Sequence, residues 1–222
     1  MAIKVLIHAY PKRMWYVDGF LVPELRRQGA DEIEVWNDVE LKGNQVACME
    51  SFAARKGDGG TWHIQDDVLL CRDFVERCRQ HDDGVVYGFC NVQFTDDPAQ
   101  TGRVSVEDCW HSFQCVRIPD EYARDCAEWF WNGNGKNMDY YPFWIRSGKM
   151  DDSIFRTFLL DQHPDIYVEN LKPNLVEHVD YIVGGSVLYP WRGHLARAHY
   201  WDDEELVEQL KKDVKGKVVY VH

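Results

Sequence analysis

Three short stretches carry side chains able to do chemistry. The first is Trp62-His63-Ile64-Gln65-Asp66-Asp67-Val68, an apolar strand pattern that ends in two adjacent carboxylates. Carboxylates placed beside a core are costly unless a cation or hydrogen-bond donors compensate them. The plainer reading of the pair is a turn in which one Asp caps the helix that starts near Arg72. The second stretch is Asn174-Leu175-Val176-Glu177-His178-Val179. A lone His between apolar residues is ordinarily a satisfied core histidine. Joined to the distant acidic pair, however, it completes an oxygen-plus-imidazole set suited to Mn²⁺. The third is Lys149-Met150-Asp151-Asp152-Ser153-Ile154-Phe155-Arg156. Asp151 is a good N-cap and Asp152 favours the first turn of a helix dipole. In the functional reading, one of the two is the general base that deprotonates an acceptor hydroxyl.

Patterning shows what must position these groups. Lys4 to His8 is a short apolar run suited to a buried strand, broken by Tyr10-Pro11. Met14 to Gln28 has helical length, with Pro23 requiring a kink or a late start and Gly29 a stop. Glu32 to Trp36 reads as a second strand, Asn44 to Arg55 as a helix and Thr61 to Gln65 as a third strand. Arg72 to Gln80 then reads as a helix and Gly84 to Phe89 as a fourth strand. Alternating strands and helices predict an α/β fold: an open, mostly parallel sheet with helices on both faces. Ligands of such sheets bind beyond the carboxyl ends of the strands, where Asp66-Asp67 falls. Further on, 91 to 106 reads as a loop or hairpin, and Ser112 to Arg117 as a strand. Helices are predicted at Asp120 to Phe130 with Asp120 as cap, at Asp151 to Leu160 and at Trp201 to Val214. A Gly/Asn-rich loop covers 132 to 137, and 174 to 179 is a loop or short strand. No repeat or linker divides the chain, which predicts a single domain over 1–222.

Composition narrows the classes. A 45% hydrophobic content over 222 residues excludes wholesale disorder and allows a full core. Nine Trp, eleven Tyr and ten Phe imply a heavy core, a stacking-rich pocket or both. The net charge of -12 makes a polyanion a poor partner and suits clustered carboxylates that hold hard cations. Seven scattered Cys without a CxxC pair give no disulfide framework, and zinc at Cys71 and Cys78 has no spacing signature. Neither a signal-peptide core nor a membrane span is present in the sequence, so a reducing, cytoplasmic setting with free thiols is expected.

A strand followed by QDDV after a βαβα start, a DDSIFR helix start and a PNLVEHV segment, in that order, resembles a GT-A-type nucleotide-sugar glycosyltransferase. The resemblance runs from Lys4 to Ser186 and is closest to small glycosyltransferase-like proteins of phage and bacterial genomes. It implies a GT-A-like (Rossmann-like) sheet, a UDP-sugar or related donor, and Mn²⁺ or Mg²⁺ at an Asp-x-Asp-type motif. Here Gln65-Asp66-Asp67 takes that motif's place, so its first acidic position is Gln. By the resemblance, Asp67 and His178 hold the metal, Asp66 assists, and Gln65 contacts the ribose. The stretch from His8 through Tyr10 to Arg13, with the helix at Asn44, lines the nucleotide pocket. Asp151 or Asp152 serves as base, and Trp110-His111 faces the sugar or acceptor. The nucleotide-binding half is about 1–110, and the acceptor and metal-completing half about 111–222. A protein, a glycan, a small molecule or modified phage DNA are the acceptor classes.

Rival readings use the same residues. A metal-dependent phosphohydrolase would gather His8, His63, Asp66, Asp67 and His178 into a two-metal site. A nucleotidyltransferase would carry a Gly-rich loop after the first strand, where this chain has Ala9-Tyr10-Pro11-Lys12-Arg13. An inactive relative, or a carbohydrate-binding module, would use the aromatic residues for stacking.

Overall fold

The computed structural model describes residues 2–89, 102–106, 113–134, 151–184 and 203–215. A seven-stranded sheet has the order β2-β1-β3-β7-β5-β8-β6. Its strands are β1 (Lys4–Ala9), β2 (Glu32–Asn37), β3 (Gly60–Gln65), β5 (Val86–Tyr87), β6 (Gly102–Ser105), β7 (Cys115–Pro119) and β8 (Tyr167–Asn170). β2, β1 and β3 are mutually parallel, as are β5 and β8, whereas β7 is antiparallel to both β3 and β5 and β6 is antiparallel to β8. Five strands therefore run one way and two run back, a mostly parallel sheet of the expected class. The fourth sequential strand does not sit beside β3: β7 is inserted there.

Side-chain alternation assigns the helices to two faces. On β3, Trp62 and Ile64 join one buried cluster with Val5 and Ile7 of β1. That cluster is covered by α1 (Met14–Tyr16), α2 (Val22–Arg27), α4 (Phe74–Cys78) and α7 (Glu204–Asp213). Thr61 and His63 point the other way, towards α3 (Asn44–Ala53), α5 (Asp120–Trp129) and α6 (Asp151–Gln162). The second cluster is built from Phe52, Phe113, Val116, Ile118, Phe155 and their neighbours.

Local chemistry accounts for the departures from the predicted elements. The 14 to 28 helix follows a 3₁₀ turn at Pro11–Arg13 and is a chain of three segments: α1, a π turn at Val17–Leu21, and α2. Pro23 has no N–H to donate, and its ring crowds the carbonyl four residues earlier; the widened π turn lies immediately before it. Gly29 ends α2 at φ 81, with its N–H on Arg26 and that of Ala30 on Leu25, the paired bonds of a Schellman stop. β5 is shorter than the predicted 84–89 strand, because Gly84 turns at φ 64 and Arg117 donates to the Gly84 carbonyl. Asp120 does not cap α5. It is the first helical residue, 2% exposed, and accepts from Thr61 Oγ1 at 2.7 Å, pinning α5 to β3.

Candidate functional site

The carboxyl ends of the parallel neighbours β1 and β3 lie side by side, with His8 in register with Gln65. Beyond β1, Tyr10 is extended ahead of Pro11, and the 3₁₀ turn carries Arg13 back over the sheet edge. Beyond β3, Asp66 and Asp67 form a two-residue turn into β4 (Val68–Leu70). β4 leaves the main sheet and pairs antiparallel with β9 (Val176–His178), placing Val68 opposite His178. Two further bonds hold this arrangement. The Val179 N–H donates to the Asp67 carbonyl at 2.7 Å, and the buried Tyr16 hydroxyl donates to the Val68 carbonyl at 2.8 Å.

These elements bring four ionisable side chains together in a buried cluster. Arg13 Nη1 donates to Asp66 Oδ1 at 2.7 Å and to Asp67 Oδ2 at 2.6 Å. The Tyr10 N–H donates to Asp66 Oδ2 at 2.6 Å. His178 Nε2 lies 3.3 Å from Asp67 Oδ2. Arg13 and Asp66 are each 4% exposed, Asp67 7% and His178 8%. Burial alone would lift the Asp67 carboxyl, yet Arg13 and His178 outweigh it and hold the group well below the usual carboxylate range. Burial raises Asp66, which Arg13 only partly opposes and Asp67 reinforces. For His178 burial works against the charge, and Asp67 reverses the balance, raising the imidazole. Arg13 is likewise raised against the effect of burial by the two carboxylates.

A second pair lies beside the first. His8 Nε2 and His63 Nδ1 are 3.0 Å apart, with rings stacked at 5.3 Å and Phe52 edge-on to His63 at 5.0 Å. Burial, aided by Arg55, lowers His8 to about 3, and burial with His8 lowers His63 well below its ordinary value. Both imidazoles are therefore neutral at physiological pH, sharing one proton between facing nitrogens. Among the described residues, His63 Nε2 is buried with no hydrogen-bond partner.

Of the sequence-predicted residues, the structure gathers Tyr10, Arg13, Asp66, Asp67 and His178, with His8 and Gln65 on the adjoining strand ends. The side chains of Asn44, Asp151 and Asp152 lie outside the described residues, as does Trp110-His111. The backbone of α6 does begin at Asp151. Neither Asp66 nor Asp67 caps α4, which has no side-chain cap bond. What sequence reasoning missed is the partnership of Arg13 with both carboxylates. The signal was present: a buried acidic pair demands a cation, and the loop beyond the neighbouring strand offers Lys12-Arg13.

The fit of a divalent ion can be judged from these contacts. Both Asp66 oxygens accept hydrogen bonds, and Asp67 Oδ2 faces Arg13 and His178. Among the described residues, no three His, Cys, Asp or Glu side chains converge to hold a metal. A guanidinium fills the cationic place, and the site as arranged does not fit Mn²⁺ or Mg²⁺. Cys71 and Cys78 are buried free thiols, and burial pushes Cys71 up to about 12, which suits packing rather than ligation. A groove of about 620 Å³ opens elsewhere, lined by residues such as Phe20, Leu69, Arg72 and Leu210, and none of the described candidate residues lines it.

No protein family and no curated protein matches the sequence. Solved structures do resemble the fold. The apo-form glycosyltransferase GlyE of Streptococcus pneumoniae superposes with a TM-score of 0.54 at 11% identity, covering 99% of this chain and 65% of GlyE. This chain thus spans less than two thirds of GlyE's length. The galactosyltransferase LgtC, solved with donor and acceptor sugar analogs, gives 0.48 at 10% identity over 99% of this chain and 98% of LgtC. The inositol-1-phosphate CTP transferase of T. maritima gives 0.44 at 8% identity over 98% of each chain. The fold is GT-A-like. Sequence likeness this low speaks to fold and not to reaction.

Proposed function

We propose that this chain is a glycosyltransferase that takes a nucleotide-sugar, a UDP-sugar by preference, and moves the sugar to a hydroxyl acceptor. The observation that carries the reading is the charged cluster of Arg13, Asp66, Asp67 and His178 at the carboxyl ends of β1 and β3 in a GT-A-like sheet. Open α/β sheets bind ligands at that edge. In this reading His8, Tyr10, Arg13, Asn44, Gln65 and Asp66 line the donor pocket. The neutral His8 presents an uncharged wall, and the Tyr10–Asp66 bond fixes the loop that follows β1.

The reaction asks for two things at opposite ends of the breaking bond. As the hydroxyl oxygen bonds to the anomeric carbon, the bond from that carbon to the diphosphate oxygen breaks and the diphosphate departs with the electron pair. Asp151 or Asp152 accepts the hydroxyl proton in an inverting reaction, help of about 10²–10⁴-fold in rate. The resemblance would give the leaving diphosphate Mn²⁺ or Mg²⁺ beside Asp67 and His178; in the site as arranged Arg13 is the cation there that could offset its charge. In this reading the chain works as one domain in the cytoplasm, with donor binding in about 1–110 and acceptor binding in about 111–222. The acceptor is a protein, a glycan, a small molecule or, following the phage resemblance, modified DNA, though a net charge of -12 counts against DNA. Among the described residues no helix is long and apolar enough to cross a membrane.

Incubation with a panel of UDP-, GDP-, CDP- and TDP-sugars, followed by assay of released nucleotide, tests the reading. Slow release from one donor class, by transfer or by hydrolysis, is expected. Release of phosphate from simple esters with no release from any nucleotide-sugar would favour the phosphohydrolase instead.

A further inference from the structure

His8 lies in register with Trp36 of β2 on one side and with Gln65 of β3 on the other. Trp36, His8 and Gln65 therefore form one row across three parallel strands at the carboxyl edge of the sheet. His63 sits one step behind that row on the same face, which packs against α3 through Phe52. The two imidazoles are unequal. His63 is fully buried, and among the described residues its Nε2 meets no partner; His8 is half-buried, and its Nδ1 is not sealed in this way. Both rings are neutral and face each other at 3.0 Å, so one proton lies between them and its owner decides the state of the outer nitrogens. If His8 Nε2 donates, the proton of His63 sits on Nε2, a buried N–H with no acceptor. If His63 Nδ1 donates, its Nε2 keeps only a lone pair and the proton of His8 sits on Nδ1. An orphaned buried N–H is the rarer defect, which favours the second arrangement.

We propose that His63 is a positioning residue that locks His8 as the Nδ1–H tautomer, and that His8 Nδ1–H reads a carbonyl of a uracil base lying beside Trp36. The inference rests on the nucleotide-sugar reading and deepens it by naming the residues that choose the base. Trp36 is half-buried, and its indole has no ring partner among the described residues. An indole is a stacking platform for any base, so it gives affinity without choice. Choice comes from His8. A locked imidazole donates at Nδ1 and does not accept there, so it matches a carbonyl oxygen and opposes an amino group. Across the ring from the ribose bond, uracil carries a carbonyl and cytosine an amino group. Without His63, the neutral His8 is free to move its proton to Nε2 and to accept from the amino group through Nδ1. Discrimination is then lost while stacking remains.

Two measurements on the full chain test this. The first needs no nucleotide: long-range proton–nitrogen correlation spectra of the imidazoles at neutral pH. A proton on His8 Nδ1 with Nε2 bare is expected, and a proton on His8 Nε2 would overturn the lock. The second is calorimetric titration with UDP and with CDP. The parent is expected to prefer UDP at least about tenfold, and a folded His63→Phe to bring the two within about threefold. A merely structural role for His63 would weaken both nucleotides alike and keep the ratio. Equal binding of UDP and CDP by the parent, or a ratio kept in His63→Phe, would overturn the inference and leave the nucleotide-sugar reading standing. Failure of every nucleoside diphosphate to bind would take down both. If His63→Phe does not fold, the tautomer of His8 and the parent's ratio decide.

Discussion

Replacing Arg13 with Met keeps much of the side-chain volume and removes the charge shared by Asp66 and Asp67. Two adjacent carboxylates, 4% and 7% exposed, are then left, among the described residues, with the Tyr10 N–H and His178 facing them. Removing one member of a buried ion pair costs about 3–5 kcal/mol. The lower end is expected here, since those two partners remain. The pH dependence is more diagnostic than the size. With Arg13 present, Asp67 is held below its unfolded value, so its stabilising contribution is full above about pH 4 and is lost as pH falls through the depressed value. Without Arg13, burial is opposed by His178 and the Tyr10 N–H alone among the described residues, so both carboxyls rise from where Arg13 held them. The variant is therefore penalised most at neutral pH and least near pH 4. Urea unfolding followed by tryptophan fluorescence at pH 7 and at about pH 4.5 measures the difference. A loss under about 1 kcal/mol at pH 7, or the same loss at both pH values, would refute the assignment of Arg13 as the counter-ion of this pair.

Other outcomes follow from the same geometry. Because His8 is lowered to about 3 by burial and then Arg55, the unfolded chain takes up its proton first as pH falls below about 6.5. Stability should decline from there towards pH 3, by at most about 1.4 kcal/mol per pH unit for one such group, and His8→Gln should flatten that slope in urea titrations. Changing Asp151 and Asp152 singly to Asn should leave donor affinity intact and cut turnover about 10²-fold or more in one of the two; parent rates in both would remove the general-base role. In Gly88→Ala, the new Cβ would lie 2.6 Å from Cys115 Sγ and 2.9 Å from Leu175 Cδ1. It should destabilise by about 1–3 kcal/mol, read as a lowered Tm with no change of fold by circular dichroism.

Strand and helix alternation made the first half of the fold legible, because βα units write strong, local patterns: β1, β2, β3 and α3 fall within a residue or two of their predicted bounds. Non-local pairing was not legible. The insertion of β7 between β3 and β5 depends on contacts such as Cys115 with Ile64, some fifty residues apart, and no periodicity encodes them. β4 and β9 are three residues each, too short for an alternation pattern, yet their pairing is what delivers His178 to Asp67. The types of the acidic pair and the late histidine pointed to one electrostatic site, and they meet. The part of Arg13 was not legible, because residue type alone does not show whether a metal or a side chain neutralises a carboxylate. Arg13 does so only because Pro11 sets a turn that aims it across the sheet edge.

The most direct test of the central claim is a calorimetric titration of UDP into the full chain and into Asp67→Ala, each checked for native circular dichroism, with Mn²⁺ and with chelator. Saturable binding at one site in the parent, weakened or lost in Asp67→Ala, is the predicted result. No heat with UDP or with GDP, CDP and TDP, or an affinity unchanged by Asp67→Ala, would contradict a nucleotide-sugar site at the carboxyl ends of β1 and β3.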